Sequence, residues 1–335
     1  MKGTRVLFIA AGLVVVLAQC SSGAQVWTTP QKITSAGTWF RGGPVAYGDK
    51  VYFNDRRSGK SEIYVWDQAG GERLYMSGTL STSVRAVYGE KLVYSTYNSG
   101  LYSLYLHDPA IGDRLISPTY SGSGSAIYGD TVAFEDNRSG FQQIYTWDPV
   151  NGERHLNPTS YDQMNPRIWG NKVVYEDYQF TEEDPRYSDP PDIYTWDPVN
   201  GNIFLARYGQ SPVIYQDDIY AYMYGSYSGG LWKSGPGGWV VSGPGIGLPS
   251  GVWDDLVVMY NGYSWDPVHG AVQITSMGGT QYSLYGRQVA WQKSNGIYTD
   301  IYVSTYVPEP SGACALGLLL GSGCVPLIRR RRVRI

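Results

Sequence analysis

A short pattern, an aromatic residue followed by turn residues and a β-branched segment, recurs along most of this chain of 335 residues. Its aromatic members, called anchors below, are spaced by about 40 residues on average and are Tyr47, Tyr88, Tyr128, Trp169, Tyr215, Trp253 and Tyr285. The first four anchors are followed by Gly and then Asp, Glu or Asn, whereas the later three copies are more degenerate. A fixed period of this size indicates stacked copies of one supersecondary unit.

Each unit contains four segments with the character of short strands. In the third unit these are residues 125–127, 131–135, 143–147 and 153–156. The third segment alternates large and small residues, as a strand with two different faces does. The sequence Asp148-Pro149-Val150-Asn151-Gly152 then favours a tight hairpin, because Asn-Gly adopts the required backbone and Pro cannot donate to a sheet.

Four strands per unit at this period predict an all-β fold, a β-propeller with seven four-stranded antiparallel blades; six blades is the alternative, because anchors 253 and 285 are close together. The composition agrees, since 14% of the residues are aromatic and only 16% are charged, which excludes a disordered chain or a coiled coil. The seventh unit ends after its third strand, near Tyr306. We therefore expect the isolated segment 31–34 to supply the missing strand and close the ring.

The repeat resembles the TolB-like and WD-related propeller repeats over roughly residues 29–306. The resemblance lies in the aromatic-Gly-Asp turn and in strands such as Ile63-Tyr64-Val65-Trp66-Asp67 and Ile193-Tyr194-Thr195-Trp196-Asp197. It implies a disc that acts mostly as a docking or scaffold surface. A fold of this kind does not by itself indicate any particular chemistry.

The first 24 residues form a predicted export signal peptide. Lys2 and Arg5 precede an apolar run from Val6 to Ala18, and small residues lead to a cleavage site after Ala24. A lipoprotein signal at Cys20 is one alternative, although Gln19 is large for the position before it. An uncleaved anchor is another, but a spanning helix needs about 20 apolar residues.

The C-terminal segment, residues 307–335, resembles the PEP-CTERM sorting signal. The motif Pro308-Glu309-Pro310 is followed by an apolar stretch and then by the basic tail Arg329, Arg330, Arg331 and Arg332. The resemblance implies an exosortase-type processing enzyme as a partner and a cell-surface or extracellular location, with the membrane contacted only through this segment. The alternative is an ordinary tail anchor, with the arginines on the cytoplasmic side.

Removing residues 1–24 and the tail from Gly312 leaves a body with a net charge of about −10, because seven of the 26 basic residues and none of the acidic residues lie in those ends. This charge argues against nucleic acid as a partner. All three cysteines, Cys20, Cys314 and Cys324, also lie in the removed segments. We therefore expect neither disulfides nor cysteine chemistry in the body.

Side chains alternate along a strand, so the residue before each anchor and the residue two before it point to opposite sides. The former is always apolar, which predicts packing between blades. The latter is Val45, Ala86, Ala126, Arg167, Val213, Gly251 or Ser283. We expect these residues to line a narrow axial channel. Arg167 would be the first candidate for binding a small anionic ligand, or else it reaches solvent at the channel mouth.

No catalytic constellation is evident, so the protein is predicted not to be an enzyme, and no cofactor is expected. His107, His155 and His269 occupy repeat positions that hold non-catalytic residues in other units. The neighbours Glu135-Asp136 and Glu176-Asp177 should face opposite sides of a strand, which excludes a shared substrate.

An acidic insertion in the fourth unit suggests a calcium site, with Asp184, Asp189 and Asp192 as candidate ligands. The alternative is a solvated loop, since the spaced Asp pattern of a calcium loop is missing.

Two function classes remain. The favoured one is a surface-sorted, non-catalytic propeller that binds polysaccharide or protein in the cell envelope or extracellular matrix. The alternative is a carbohydrate-active enzyme, a glycosidase or lyase, on the same scaffold.

Overall fold

The computed structural model describes residues 27–37, 39–120, 124–179, 190–224, 229–235, 238–296 and 298–307. They belong to one compact unit, Trp27–Val307. All regular structure in these residues is β-strand, arranged as seven four-stranded sheets. Across the same residues, no helix is long and apolar enough to cross a bilayer.

The seven sheets are the blades of a β-propeller. The first blade contains β2 Arg41–Tyr47, β3 Lys50–Asp55, β4 Glu62–Asp67 and β5 Gly71–Met76. The second contains β6 Ser81–Tyr88, β7 Lys91–Asn98, β8 Leu101–Asp108 and β9 Gly112–Tyr120. The third contains β10 Ser125–Tyr128, β11 Thr131–Asp136, β12 Gln143–Asp148 and β13 Gly152–His155. The fourth contains β14 Gln163–Trp169, β15 Lys172–Asp177, β16 Asp192–Asp197 and β17 Gly201–Ala206. The fifth contains β18 Gly209–Tyr215, β19 Asp218–Met223, β20 Gly230–Lys233 and β21 Trp239–Ser242. The sixth contains β22 Pro249–Trp253, β23 Leu256–Met259, β24 Tyr263–Asp266 and β25 Gly270–Gln273, and the seventh β26 Thr280–Tyr285, β27 Gln288–Ser294, β28 Thr299–Thr305 and β1 Gln31–Lys32.

The N-terminal strand closes the ring, as the sequence predicts. β1 pairs antiparallel with β28, so that Gln31 lies opposite Val303. Trp27 forms an additional bridge with Tyr306. The prediction of seven blades is thus confirmed, and the outer edge of the last blade is covered by a strand from the other end of the domain.

Each of seven anchors ends the innermost strand of its blade and begins a tight turn to the second strand. Gly48, Gly89, Gly129 and Gly170 follow the best copies at positive φ, which explains the glycine of the motif. These turns lie at one end of the propeller, called the anchor face below. The loops between second and third strands, and those between blades, lie at the opposite end, called the loop face.

Apolar cores lie between consecutive blades. The residue before the anchor contributes to them, since Val87 packs with Tyr52 and Ile63 of the first blade. Ile127 packs in the same way with residues of the second blade, Val93 and Leu104. The predicted packing of this position between blades is therefore correct.

The paired acids of the second strands also join neighbouring blades. Glu135 accepts a hydrogen bond of 2.7 Å from the backbone N–H of Asn165 in the fourth blade. Its neighbour Asp136 accepts one of 2.7 Å from Ser117 in the second blade. The two side chains therefore point to opposite faces of the sheet, as expected, and link the third blade to both neighbours.

Several sequence predictions lie outside the described residues. These are the signal peptide, the sorting signal with Pro308, Glu309, Pro310 and Arg329–Arg332, and two of the calcium candidates, Asp184 and Asp189.

Candidate functional site

An axial cavity of about 640 Å³ runs between the innermost strands. Residues of six blades line it, and its volume lies within the range of small-molecule sites. Five of the seven residues that were expected at the channel contribute to the wall, namely Val45, Ala86, Ala126, Arg167 and Ser283. The fold therefore forms a pocket on its axis without any insertion.

The anchors form a continuous aromatic belt at one end of this cavity. The centroids of neighbouring rings are 4.2 to 5.6 Å apart all the way round, from Tyr47 through Tyr88, Tyr128, Trp169, Tyr215 and Trp253 to Tyr285 and back to Tyr47. These distances are typical of aromatic contact. Trp169 and Trp253 also approach each other to 6.3 Å, which narrows the belt. The anchor motif thus supplies an apolar wall to the cavity.

Two arginines line the cavity, and the alternation along the strands predicts only Arg167. Arg167, on the fourth blade, is half-buried and donates to the backbone oxygen of Pro166 at 3.0 Å. Arg85, on the second blade, is half-buried as well. Its Nε donates to Ser95 at 3.0 Å, and its guanidinium lies 5.6 Å from the ring of Tyr120.

A register shift explains why Arg85 was missed. Val84 pairs with Tyr94 and Ala86 with Val93, which leaves Arg85 as the extra residue of a β-bulge. A bulge re-aims side chains, so strict alternation assigns Arg85 to the wrong side. The first, fourth and fifth blades carry similar shifts. Pro44, Pro166 and Pro212 lie in those shifted segments and are the sequence signal that could have revealed them.

Glu176 lies near Arg167, but its carboxylate already accepts hydrogen bonds from other residues of the fold. Its side chain is fully buried and accepts hydrogen bonds from Asn165 Nδ2 at 2.9 Å, Tyr178 Oη at 2.9 Å and the backbone N–H of Ser211 at 2.6 Å. Burial raises the pKa of Glu176, although these hydrogen bonds and the charge of Arg167 oppose the rise. A carboxyl group with both oxygens occupied cannot readily serve as a catalytic acid.

A groove of about 450 Å³ on the loop face adjoins the axial cavity. Tyr222, Tyr224 and Tyr260 line it, and Tyr260 lines the axial cavity as well. Tyr224 and Tyr260 are both exposed. The two spaces therefore share a wall residue, and a ligand in the groove lies next to the axis.

Exposed aromatic side chains are concentrated on the loop face. Among the described residues, nine Phe and Tyr side chains are exposed. One of them, Phe204, lies on the outer strand β17 and not on the loop face. The other eight stand in loops or strand ends of the loop face and are Phe40, Tyr97, Tyr102, Phe141, Tyr161, Tyr208, Tyr224 and Tyr260.

None of the three histidines, all of which are described, lines the axial cavity. His107 lies 2.7 Å from Asp113, His155 stacks on Tyr145 at 4.4 Å, and His269 lies 3.0 Å from Asp266. Burial lowers the pKa of His155, and the nearby Arg138 lowers it further.

The calcium hypothesis remains a prediction. Asp192, the one candidate that is described, begins β16 and accepts a hydrogen bond of 3.3 Å from the backbone N–H of Tyr208. Within the described ranges, no cluster of three or more His, Cys, Asp or Glu side chains is placed to hold a metal ion.

Solved structures similar to this chain include a β-propeller domain. The β-propeller domain of the Trilobed protease from Pyrococcus furiosus matches with a TM-score of 0.59 and 14% identity, covering 79% of this chain and 95% of that one. Oligogalacturonate lyase from Vibrio parahaemolyticus matches with a TM-score of 0.57 and 10% identity, covering 84% and 94%. Identities this low show a common fold alone.

TolB from Acinetobacter baumannii is also similar, with 15% identity and a TM-score of 0.44 over 58% of this chain. The match spans about half of the TolB chain, 51%. No protein-family model matches the sequence, and neither does any curated protein. The class that the fold defines is a seven-bladed β-propeller.

Proposed function

We propose that the protein is an exported, surface-sorted and non-catalytic propeller whose loop face binds polysaccharide of the cell envelope or extracellular matrix. The observation that carries this proposal is the position of the exposed Phe and Tyr side chains, since eight of the nine in the described ranges lie on the loop face. Aromatic rings offer flat apolar surfaces with a polar hydroxyl at the rim, which suits the mixed apolar and polar faces of a sugar ring. The groove lined by Tyr222, Tyr224 and Tyr260 adds a concave surface to this face.

Export and sorting rest on the sequence of the two ends. The signal-peptide pattern supports passage through the membrane, and the Pro308-Glu309-Pro310 motif with its basic tail supports processing by an exosortase-type enzyme. A surface location would bring the loop face into contact with envelope or matrix polymers. The net negative charge of the body also argues against nucleic acid as a partner.

A glycan array with the full chain tests the proposal. We expect retention of a restricted set of polysaccharides, and about tenfold weaker binding for Tyr224→Ala or Tyr260→Ala, because each removes one aromatic contact surface. Phe204→Ala is the matched control, since Phe204 is equally exposed but lies on an outer strand. Equal losses for all three variants, or no glycan retained, would contradict the proposal. Release of shortened products from a retained glycan would indicate the carbohydrate-active enzyme instead.

A further inference from the structure

We propose that the axial cavity is a subsite for one anionic sugar unit, whose carboxylate or sulfate group is bound by Arg85 and Arg167. This inference rests on the proposed polysaccharide-binding function and specifies the chemical class of the ligand.

The two arginines retain unused hydrogen-bond donors. Each guanidinium has five N–H groups. Arg85 donates one hydrogen bond, to Ser95, and Arg167 donates one, to Pro166, and within the described ranges neither side chain has a carboxylate within ion-pair distance. Two positive charges thus face a half-buried cavity with most of their donors free, which favours an anion between them.

The two acids that bond to Asn165 of the cavity lining already have their hydrogen-bond partners. Glu135 accepts the backbone N–H of Asn165, and Glu176 accepts three hydrogen bonds, one of them from the side chain of Asn165. Arg167 acts on Glu176 through its charge, but Asn165 contacts that carboxylate directly. The planar fork of a guanidinium matches the oxygens of a carboxylate or sulfate, which an incoming ligand can supply.

The rest of the wall indicates that this anion is carried on a small ring. Tyr88, Tyr128 and Trp169 of the aromatic belt line the same cavity as the arginines. A volume of about 640 Å³ exceeds what a bare inorganic ion needs and accommodates a sugar ring with its substituents. A uronate or a sulfated hexose has both required parts, an oxyanion for the arginines and an apolar ring face for the belt.

Tyr260 connects this subsite to the proposed polysaccharide surface. It lines both the axial cavity and the groove with Tyr222 and Tyr224. A polymer that lies along the groove can therefore place its terminal unit on the axis. The arginines would then select chains that end in, or expose, an acidic unit.

Titration calorimetry on the full chain tests the subsite with three methyl glycosides: the glucuronide, the 6-sulfated glucoside and the neutral glucoside. We expect at least one anionic glycoside to bind and the neutral one to bind at least tenfold more weakly. Arg85→Gln and Arg167→Gln should each weaken anion binding by about 10- to 100-fold, since each removes charge-assisted hydrogen bonds. The preferred anionic glycoside distinguishes the carboxylate from the sulfate.

Arg114→Gln is the matched control, because Arg114 is exposed on the outer strand β9 and has no ion pair in the described ranges. Arg85→Lys and Arg167→Lys keep the charge and lose the planar fork, so they report on the same contact if a Gln variant fails to fold. The inference is overturned if the neutral glycoside binds equally well, or if the folded Arg variants keep full anion affinity. Glycan-array binding that persists in those variants would leave the polysaccharide proposal intact, whereas arginine-dependent anion binding without any array binding would reject that proposal alone.

Discussion

A buried ion network at the closure of the ring provides a strong test of how the propeller is held together. Arg41 begins β2 and has 1% of its surface exposed. Its Nε lies 2.8 Å from Asp55 of the same blade, and its Nη1 lies 3.0 Å from Asp300 of the seventh blade. Lys32 of the closing strand lies 2.8 Å from the other oxygen of Asp300. The network thus connects the first blade, the last blade and the N-terminal strand.

We predict that Arg41→Met lowers the free energy of unfolding by about 3 kcal/mol. Removing one partner of a buried ion pair costs roughly 3–5 kcal/mol, because the other charge stays buried. The lower end applies here, since Asp55 keeps Arg57 and Asp300 keeps Lys32 as partners. Urea unfolding of the full chain, followed by tryptophan fluorescence, measures the change. Arg114→Met, an exposed control, should stay within about 0.5 kcal/mol of the wild type.

The loss of unfolding free energy in Arg41→Met should also depend on pH. Burial raises the pKa of Asp55, but hydrogen bonds from Arg57 and Arg41 outweigh burial and hold the pKa below its usual 3.8. A carboxyl group whose pKa is lowered in the folded state stabilises the fold at pH values above its unfolded-state pKa. This stabilisation is lost as the pH falls through the folded-state pKa. The difference between wild type and Arg41→Met should therefore be full at pH 7 and shrink below pH 3.8. A loss under about 1 kcal/mol at pH 7, or an unchanged deficit in acid, would refute the reasoning.

Three further predictions concern Asp177, the calcium candidates and the sorting signal. Burial raises the pKa of Asp177, and the Oδ1 atom of this residue has no hydrogen-bond partner among the described residues. The contribution of Asp177 to the free energy of unfolding therefore falls as the pH rises through that pKa. Asp177→Asn should therefore stabilise the fold by about 1 kcal/mol at pH 7 in the same urea assay, and a loss would contradict this. Calcium should release heat in calorimetry and raise the melting temperature if Asp184, Asp189 and Asp192 bind it, with Asp192→Asn abolishing both; neither effect in the wild type rejects the site. Glu309→Ala should leave the C-terminal arginines on the surface-bound protein, as intact mass spectrometry would detect, and normal processing of this variant would contradict the sorting signal.

The repeat allowed the fold to be predicted but only part of the cavity. Strand positions followed from alternation and turn residues, as in the third blade, where the predicted strand 143–147 is β12 Gln143–Asp148. Arg167 was placed at the axis for the same reason. Arg85 was not, because the bulge at its own position breaks the alternation on which the prediction depends.

Contacts between distant parts of the chain were also beyond prediction. Arg41 and Asp300 are 259 residues apart in sequence, and neither belongs to a repeated motif. The aromatic belt could be predicted only in part. Its seven members are recognisable as a repeat, but their mutual contact depends on closure of the ring. Local patterns determined the blades, whereas ring closure determined which side chains meet on the axis.

Comparison among the blades separates structural positions from functional ones. At the position of Arg167 the other blades carry Val45, Ala86, Ala126, Val213, Gly251 and Ser283, and their innermost strands pair with the second strands without a cation there. The position of Arg85 holds Pro, Ser or Tyr in the other blades. Neither arginine is therefore needed to build a blade, and half-burying two positive charges in one cavity carries a desolvation cost. A bound anion offsets that cost, which is the physical reason to look for the ligand on the axis.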